Sequence, residues 1–239
     1  MREPIRLDRR CAELFDCSRG EAVRYIQGGW VLVDGEVVER PNFKVQDQKI
    51  ELAEGATSKP IKPVTLLFNL PEEFSTDDST VIQQLITPDS HCEEDYSGIK
   101  ILNRHFHGLK PVLPLQNGAS GLSVYSKDYK VERALLDQNR RKEEEYIIEL
   151  SDEHTPEVLK QLNEFAYSND ESQPEFKASQ QSEKKIRFVT KFTYPDQIET
   201  LCKRVGLTTT VIKRIRIGRV SMKKLPSGEW RYLPENTMF

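Results

Sequence analysis

The sequence predicts an α+β protein, with a small N-terminal domain and a larger domain built on a mixed, mostly antiparallel sheet. Residues 5–53 read as two helices, a hairpin and a strand, whereas residues 64–239 contain several alternating strands and few helices. The stretch between them is small, polar and punctuated by proline, as is typical of a linker. We therefore expect a domain over residues 1–54, a linker over 55–63 and a second domain over 64–239.

The N-terminal domain carries clear local signals. Ser18 and Glu21 have the spacing of a capping box, in which each side chain satisfies a free backbone N–H at the start of a helix. An apolar face follows, and Gly28-Gly29 ends that helix. Asp34-Gly35 lies between two valine-rich runs, which indicates a tight hairpin turn. A shorter helix is predicted to begin at Leu7.

The large domain reads as a series of strands with helices between them. Apolar residues alternate along residues 185–192 and 211–217, as expected of strands with one buried face. Thr155-Pro156 is typical of a helix start, with Thr as the cap and Pro at the first helical position. The polar stretch 167–184 is predicted to be a flexible insertion. Further strands are predicted over residues 64–68, 98–102, 122–125 and 146–150, and a second helix over residues 195–205.

Composition limits the classes of function. The 239 residues carry a formal net charge of −3, so any surface that binds nucleic acid must be local. No apolar run is long enough to cross a bilayer, and no signal peptide is predicted. The His105-x-His107 pair has no further ligand at a supporting spacing, so we expect no metal and no cofactor. We expect a cytoplasmic monomer with reduced thiols at Cys11, Cys17, Cys92 and Cys202.

Four short motifs in residues 5–53 resemble the S-four-type (S4) RNA-binding domain. They are Arg6-Leu7-Asp8-Arg9, Ser18-Arg19-x-Glu21-Ala22, Ile26-x-Gly28 and Val31-x-Val33-Asp34-Gly35. The resemblance implies that the two helices present basic side chains to RNA phosphates, a contact that suits the planar fork of arginine. Acidic residues are interleaved here, so a solvated helix face is the alternative. The residues assigned to RNA binding by position are Arg6, Arg9, Arg19 and Arg24.

The large domain resembles the RsuA-like pseudouridine synthases that act on bacterial ribosomal RNA. Residues 111–122 match that family's active-site loop without a gap, and residues 205–233 match its closing signature. Asn69, Pro71 and Tyr146 add isolated matches. The resemblance implies a pseudouridine synthase domain in which a catalytic Asp attacks the sugar or the base and a Tyr stacks on the base. It also implies structured RNA, and ribosomal RNA in particular, as the partner.

The chain departs from the family at the positions that carry the chemistry. Gln116 stands where the family has its catalytic Asp, and an amide neither ionises nor acts as a good nucleophile. Leu113-Pro114 replaces a Gly-Arg pair. The other departures are Leu70 and Glu144 for Lys, Asp196 for Arg, and Glu199-Thr200 for an Arg pair. These changes remove cations and the nucleophile, so the sequence predicts a degenerate site around Gln116 and Tyr146.

Positive charge is concentrated towards the C-terminus. In residues 203–231, Glu229 is the only acidic residue. One interpretation is an ordinary solvated strand face, because arginine and isoleucine alternate over residues 214–217. The other is contact with RNA phosphates, which positions RNA without reading its sequence. We predict the second, and the assigned residues are Lys213, Arg214 and Arg216.

Three functions remain open on the sequence alone. The first is an RNA-binding protein that keeps the synthase fold without isomerase activity. The second is an active synthase with a relocated nucleophile, for which Asp128 is the nearest downstream carboxylate. The third is a protein-interaction scaffold that has left RNA, which the acidic changes at Glu144, Asp196 and Glu199 favour because carboxylates repel phosphate. We take the first as the working interpretation.

Overall fold

The computed structural model describes residues 3–74, 84–137, 140–167, 175–191 and 195–239. Within it, the chain divides into two compact units, Met1–Pro63 with Lys100–His107 and Val64–Ile99 with Gly108–Phe239. The domain and linker bounds given above remain predictions, and no sequence signal indicated that Lys100–His107 joins the first unit. Phe192, where one predicted strand ends, lies outside the described residues.

The first unit contains short helices and strands around a small core. Its strands β1 and β4 form an antiparallel pair, and β3, β2 and β5 form a second antiparallel sheet in that order. The core is made by buried residues from the first two helices and the sheets, including Leu7, Ile26 and Val31. The helices are α1 (Leu7–Leu14), α2 (Arg19–Gln27) and α3 (Asn103–Phe106), and the strands are β1 (Ile5–Arg6), β2 (Val31–Val33), β3 (Glu36–Val37), β4 (Lys44–Val45) and β5 (Ile50–Leu52).

Local chemistry explains the ends of these elements. The predicted capping box is confirmed, because the Ser18 hydroxyl accepts the Glu21 N–H while the Glu21 carboxylate accepts the Ser18 N–H. Gly28 is the C-cap of α2. Asp34 and Gly35 have φ values of 52° and 88°, the left-handed pair that a tight hairpin turn requires.

Residues 100–107 belong to the first unit through polar contacts. The Lys100 ammonium donates to the Gly29 carbonyl at 2.6 Å and lies 4.8 Å from the centre of the Trp30 ring. Arg104 donates to the Gln27 side chain at 3.1 Å. The strand predicted over residues 98–102 is wrong: this segment has no strand pairing and leads into α3.

The second unit is built on one mixed sheet. Its strands run in the order β10-β11-β9-β12-β8-β6-β14, with β13 paired to β12 and β7 paired to β8. The β12–β8 pair is parallel and the other pairs are antiparallel, so the predicted α+β class is confirmed. The strands are β6 (Thr65–Leu70), β7 (Lys110–Val112), β8 (Ala119–Ser126), β9 (Glu144–Leu150), β10 (Phe176–Ser182), β11 (Lys185–Thr190), β12 (Thr209–Ile217), β13 (Val220–Ser221) and β14 (Trp230–Tyr232).

Three helices accompany this sheet in the described residues: α4 (Tyr129–Leu136), α5 (Pro156–Glu164) and α6 (Gln197–Arg204). Short 3₁₀ turns cover Pro88–Ser90 and Phe165–Tyr167. Pro156 occupies the start of α5 as predicted, but the Thr155 side chain at the N-cap makes no capping hydrogen bond. The helix is anchored instead by Leu159 and Leu162, which are buried.

In the flexible insertion predicted over residues 167–184, residues 168–174 lie outside the described residues, and the prediction is wrong for the second half. Phe176–Ser182 forms the edge strand β10, which pairs antiparallel with β11. The polar composition misled the prediction, because only Phe176 and Ala178 of this strand are buried while its glutamines and serines are half-buried or exposed. The Phe176 and Phe188 rings stack across the pair with centroids 4.7 Å apart.

The whole described chain lacks a helix that is long and apolar enough to cross a membrane. All four cysteines are free thiols, and three of them are buried. Burial raises the pKa of Cys11 and Cys202 to about 12, so both thiols stay protonated and unreactive near neutral pH.

Candidate functional site

The loop between β7 and β8 contains Gln116 and has an unusual backbone at its start. Leu113 has a φ of 59°, in the left-handed region where glycine is favoured. This is the position at which the resemblance places glycine, the residue that adopts a positive φ at least cost. Leu113 also packs against the core of the second unit, which offsets part of the backbone strain.

Gln116 is buried within this loop, with 5% of its surface exposed. Its Oε1 accepts a hydrogen bond of 3.1 Å from the backbone N–H of Ile198, in the first turn of α6. Its Nε2 is a buried donor without a hydrogen-bond partner in the part of the chain that the structure describes. The side chain therefore ties the loop to α6 and leaves one donor of the amide unsatisfied.

Arg214 of β12 is the cation at the centre of this region, and none of its surface is exposed. Its Nε donates to the Leu122 carbonyl at 2.8 Å, and its Nη2 donates to the Leu113 carbonyl at 2.9 Å. Its Nη1 lies 2.7 Å from a carboxylate oxygen of Glu144 and 3.4 Å from the Pro114 carbonyl. The guanidinium thus ties the start of the loop that carries Gln116 to β8 and β9.

Glu144 and Tyr146 lie two residues apart on β9, so their side chains share one face of the sheet. The Tyr146 hydroxyl donates to the Glu144 carboxylate at 2.8 Å, and both residues are buried. Burial by itself lowers the pKa of Arg214, but Tyr146 and Glu144 raise it above its ordinary value overall, so the guanidinium stays charged. The cluster joins one cation, one carboxylate and one phenol.

Sheet register brings these residues together. Arg214 is the Cα partner of Tyr146 on β9 and of Gly121 on β8. A Cβ atom added at Gly121 would lie 2.4 Å from the Arg214 carbonyl oxygen, and Gly121 has a φ of 93°. Only glycine meets both conditions at this close approach. The Gly in the Ser120-Gly121-Leu122 motif is therefore required by the backbone around the site.

Asp128, the carboxylate considered as a relocated nucleophile, is the N-cap of α4. Its Oδ1 accepts the backbone N–H of Lys130 at 2.9 Å, which is a capping contact.

The described residues also contain no group of three or more His, Cys, Asp or Glu side chains that could hold a metal ion.

The three C-terminal basic residues predicted to bind RNA differ in how far their side chains are exposed. The RNA contact predicted for Arg214 must be corrected, because this residue is buried and its guanidinium bonds to Glu144 and to loop carbonyls. A β-bulge between Arg214 and Arg216 interrupts the alternation, so the pattern read from the sequence does not hold through the strand. Arg216 is half-buried and pairs with Glu145 at 2.5 Å, and Lys213 is half-exposed.

In the first unit, two of the predicted arginines converge on one buried carboxylate. Arg6 donates to both oxygens of Asp8, at 3.1 and 2.9 Å, and Arg19 donates to Asp8 Oδ2 at 3.2 and 3.1 Å. Asp8 is 2% exposed, whereas the Arg6 and Arg19 side chains are 45% and 63% exposed. Burial raises the pKa of Asp8, but the hydrogen bonds from both arginines lower it below its ordinary value overall.

The other two arginines of this unit have separate partners. Arg9 is exposed and pairs with Glu13 one helical turn away at 3.1 Å. Arg24 donates to the Ser58 carbonyl at 2.7 Å, so part of its guanidinium is engaged by the chain itself. The four residues therefore do not form one equivalent set of cations.

Two carboxylates with clear roles were not predicted from the sequence. Asp8 gathers Arg6 and Arg19, and Glu145 pairs with both Arg187 and Arg216. The Arg-x-Asp spacing of residues 6–8 was a usable signal for the first, because it places both side chains next to the helix start. No local signal indicated Glu145, since its partners lie 42 and 71 residues away.

The fold of the whole chain has a solved counterpart. A crystal structure described as a pseudouridylate synthase aligns over 97% of this chain and 96% of its own, with a TM-score of 0.58 and 18% sequence identity. The protein therefore has the pseudouridine synthase fold, with a small N-terminal domain in front. The family model described as "S4 domain" matches residues 5–49.

The chain is also similar in sequence to RNA pseudouridine synthases along most of its length. The chain is 27% identical over 237 residues to an uncharacterized RNA pseudouridine synthase of Aquifex aeolicus, covering 97% of this chain and 93% of the relative. It is 24% identical over 247 residues to the dual-specificity RNA pseudouridine synthase RluF of Escherichia coli, covering 98% of this chain and 77% of the relative. The chain thus carries an S4 domain and is homologous to RNA pseudouridine synthases of the RluF and RsuA type.

Proposed function

We propose that this protein binds structured RNA, ribosomal RNA in particular, through an S4 domain and a pseudouridine synthase fold, without isomerising uridine. The observation that carries the proposal is Gln116. A buried, hydrogen-bonded amide occupies the position at which the resemblance places the catalytic carboxylate.

The chemistry of the reaction explains why this substitution matters. Pseudouridine formation breaks the bond between the sugar and uracil N1 and rejoins the base through C5, which needs a carboxylate as nucleophile or base. The Gln116 amide has no negative charge, and its oxygen already accepts the Ile198 N–H. Removal of a nucleophile from a hydrolase costs several powers of ten in rate, and we expect a loss of that order here.

The first unit supports RNA binding through its exposed arginines. Arg6 and Arg19 share one buried counter-ion, Asp8, so two guanidinium groups are held side by side at the surface. One carboxylate balances only one of the two cations, and a net positive charge remains for phosphate. Arg9 adds an exposed cation on the same helix as Asp8.

A second candidate function is an active synthase with a relocated carboxylate. Glu144 favours it, because this carboxylate is buried beside Tyr146 and Arg214 rather than exposed on the surface. Asp128 is less suited, since its side chain caps α4. The scaffold hypothesis loses support, because Glu144 is balanced by Arg214 and Glu199 by Lys203.

Tritium release from RNA decides between the two candidates. Uridine labelled at C5 loses its tritium when the new bond forms at that carbon, so every isomerisation releases one label. We expect no release from ribosomal RNA above the level of a protein-free blank, with an active RNA pseudouridine synthase run in parallel as the positive control. Sustained release by the wild-type protein that disappears in Glu144→Gln would contradict the proposal and establish the second candidate.

RNA binding needs a separate measurement. We expect the affinity for ribosomal RNA to fall as salt rises, because phosphate contacts release counter-ions. Binding that does not change between about 50 and 200 mM salt, or no binding at all, would favour the scaffold hypothesis. Co-purification with ribosomal subunits in a salt-sensitive manner would support ribosomal RNA as the target.

A further inference from the structure

The buried charges around the Gln116 loop are paired within the protein. Arg214 has no exposed surface, and its Nη1 lies 2.7 Å from the Glu144 carboxylate, which is itself buried. Gln116 adds no charge. Removing one partner of a buried ion pair leaves an uncompensated charge, which is why such clusters depend on a matched number of cations and anions.

The carboxylate of this cluster stands at a different place from the one the family pattern implies. By the resemblance, a carboxylate belongs at position 116 and a cation at position 144, whereas this chain has an amide at 116 and a carboxylate at 144. Arg214 contacts Glu144 directly and contacts the loop of Gln116 through two backbone carbonyls. Its guanidinium bonds to the carbonyls of Leu113 and Pro114 in the loop of Gln116, and it bonds to Glu144 on β9.

We propose that Glu144 is the charge-balancing carboxylate of this site and that its presence permits a neutral residue at position 116. The inference rests on the proposed function, because it explains how the site could lose its carboxylate without leaving Arg214 unpaired. Glu144 acts through Arg214, which bonds to the Leu113 carbonyl at the start of the loop and to the Leu122 carbonyl in β8, so Glu144 is a positioning residue.

This arrangement has a specific consequence for substitutions. In the wild-type protein, Asp at position 116 would place a second carboxylate near one cation, and like charges in a buried site repel each other. In a protein that lacks the Glu144 carboxylate, the same Asp would supply the missing counter-charge. Gln116→Asp is therefore expected to destabilise the first protein and to stabilise the second.

Thermal unfolding of four full-length proteins tests this sign change: the wild type, Gln116→Asp, Glu144→Gln and the double variant. We expect Glu144→Gln to lower Tm by roughly 10 °C, because it leaves a buried cation unpaired in a chain of this size. Gln116→Asp should lower Tm by a few degrees in the wild type and raise it by about as much in the Glu144→Gln protein.

Glu145 provides a matched control on the neighbouring position of β9. Glu145→Gln removes the same charge, but its partners are Arg187 and Arg216 rather than Arg214. Gln116→Asp should therefore lower Tm equally in the wild type and in the Glu145→Gln protein. A role of Glu144 in packing alone would not reverse the sign, because glutamine has nearly the same shape and size.

Equal effects of Gln116→Asp in the wild-type and Glu144→Gln proteins would overturn the inference. If Glu144→Gln does not fold, Glu144→Gln with Arg214→Gln removes both charges and should fold better than either single variant; failure of that pair to improve on the single variants would also overturn it. Tritium release by the wild-type protein would contradict the proposed function but leave this thermal result unchanged, so the two failures are distinguishable.

Discussion

Asp8 in the first unit and Glu144 in the second are both buried carboxylates that pair with arginine, yet their partners face different surroundings. Arg6 and Arg19 keep about half of their side-chain surface in solvent while they bond to Asp8. Arg214 is completely buried, and its other N–H groups donate hydrogen bonds to backbone carbonyls. An arginine–carboxylate ion pair therefore leaves its cations exposed to solvent in the first unit and encloses its cation in the second.

The difference shows what makes an arginine available to RNA. Two cations on one anion leave a net positive charge at the surface, whereas one cation on one anion inside the sheet leaves none. Arg216 lies between these cases, because it is half-buried and shares Glu145 with Arg187. Burial and the number of partners, more than the local density of basic residues, separate structural arginines from those that can reach phosphate.

The largest effect on stability is expected from Arg214→Met, which removes the enclosed cation of the second unit. The substitution leaves Glu144 buried without its cation and releases the loop carbonyls, so we expect a loss of about 3–5 kcal/mol in the free energy of unfolding. Urea unfolding measures this loss. RNA affinity, measured under conditions where the variant is folded, should stay within about twofold of the wild type.

Lys213→Met is the matched control for Arg214→Met, because Lys213 is the half-exposed neighbour on the same strand. We expect this substitution to change stability by no more than about 0.5 kcal/mol. A strong loss of RNA affinity in Arg214→Met, with stability unchanged, would show that Arg214 meets RNA and that the structural assignment is wrong.

The next largest loss of stability is expected from a substitution at Leu113, whose carbonyl accepts a hydrogen bond from Arg214. Leu113→Ile keeps the side-chain volume but puts a β-branched residue at a φ of 59°, where such residues clash most with the backbone. We expect a loss of about 1–2 kcal/mol in urea unfolding. Leu115→Ile is the control, since Leu115 is a buried leucine of the same loop outside the left-handed region; equal losses in the two variants would rule out backbone strain as the cause.

Arg19→Ala tests whether the exposed cations of the first unit bind RNA. It removes one exposed cation while Arg6 continues to balance Asp8, so stability should change by less than about 1 kcal/mol. The slope of log affinity against log salt should fall by about 1, and affinity should decrease for all structured RNAs alike. Arg133→Ala removes an exposed cation from α4 as a control; an equal change in slope would mean that the effect reflects net charge alone.

The smallest effect concerns acid stability. Because the folded pKa of Asp8 is lowered below 3.8, its ion pairs contribute stability above that pH and lose it as the pH falls through 3.8 towards the folded pKa. The difference in unfolding free energy between the wild type and Asp8→Asn should therefore be constant above about pH 5 and shrink below about pH 4. A difference that stays constant down to about pH 3 would mean that Asp8 has no lowered pKa.

Local elements of the fold could be predicted because their causes lie within a few residues. The Ser18–Glu21 capping box and the Asp34-Gly35 turn depend on backbone groups that are neighbours in the chain. The exceptions are informative. β10 was missed because an edge strand needs few apolar residues once β11 supplies its hydrogen bonds, and residues 98–102 were assigned to a strand although they have no strand partner.

The resemblance to pseudouridine synthases and the amide at position 116 could be read from residue identities alone. Which charges meet could not, because it depends on contacts between residues far apart in the chain. Arg214 bonds to Glu144, 70 residues away, and the Gln116 amide bonds to Ile198, 82 residues away. Such pairs form because segments distant in the chain become neighbours in the fold, and the register shift between Arg214 and Arg216 in β12 decides which of its arginines is enclosed.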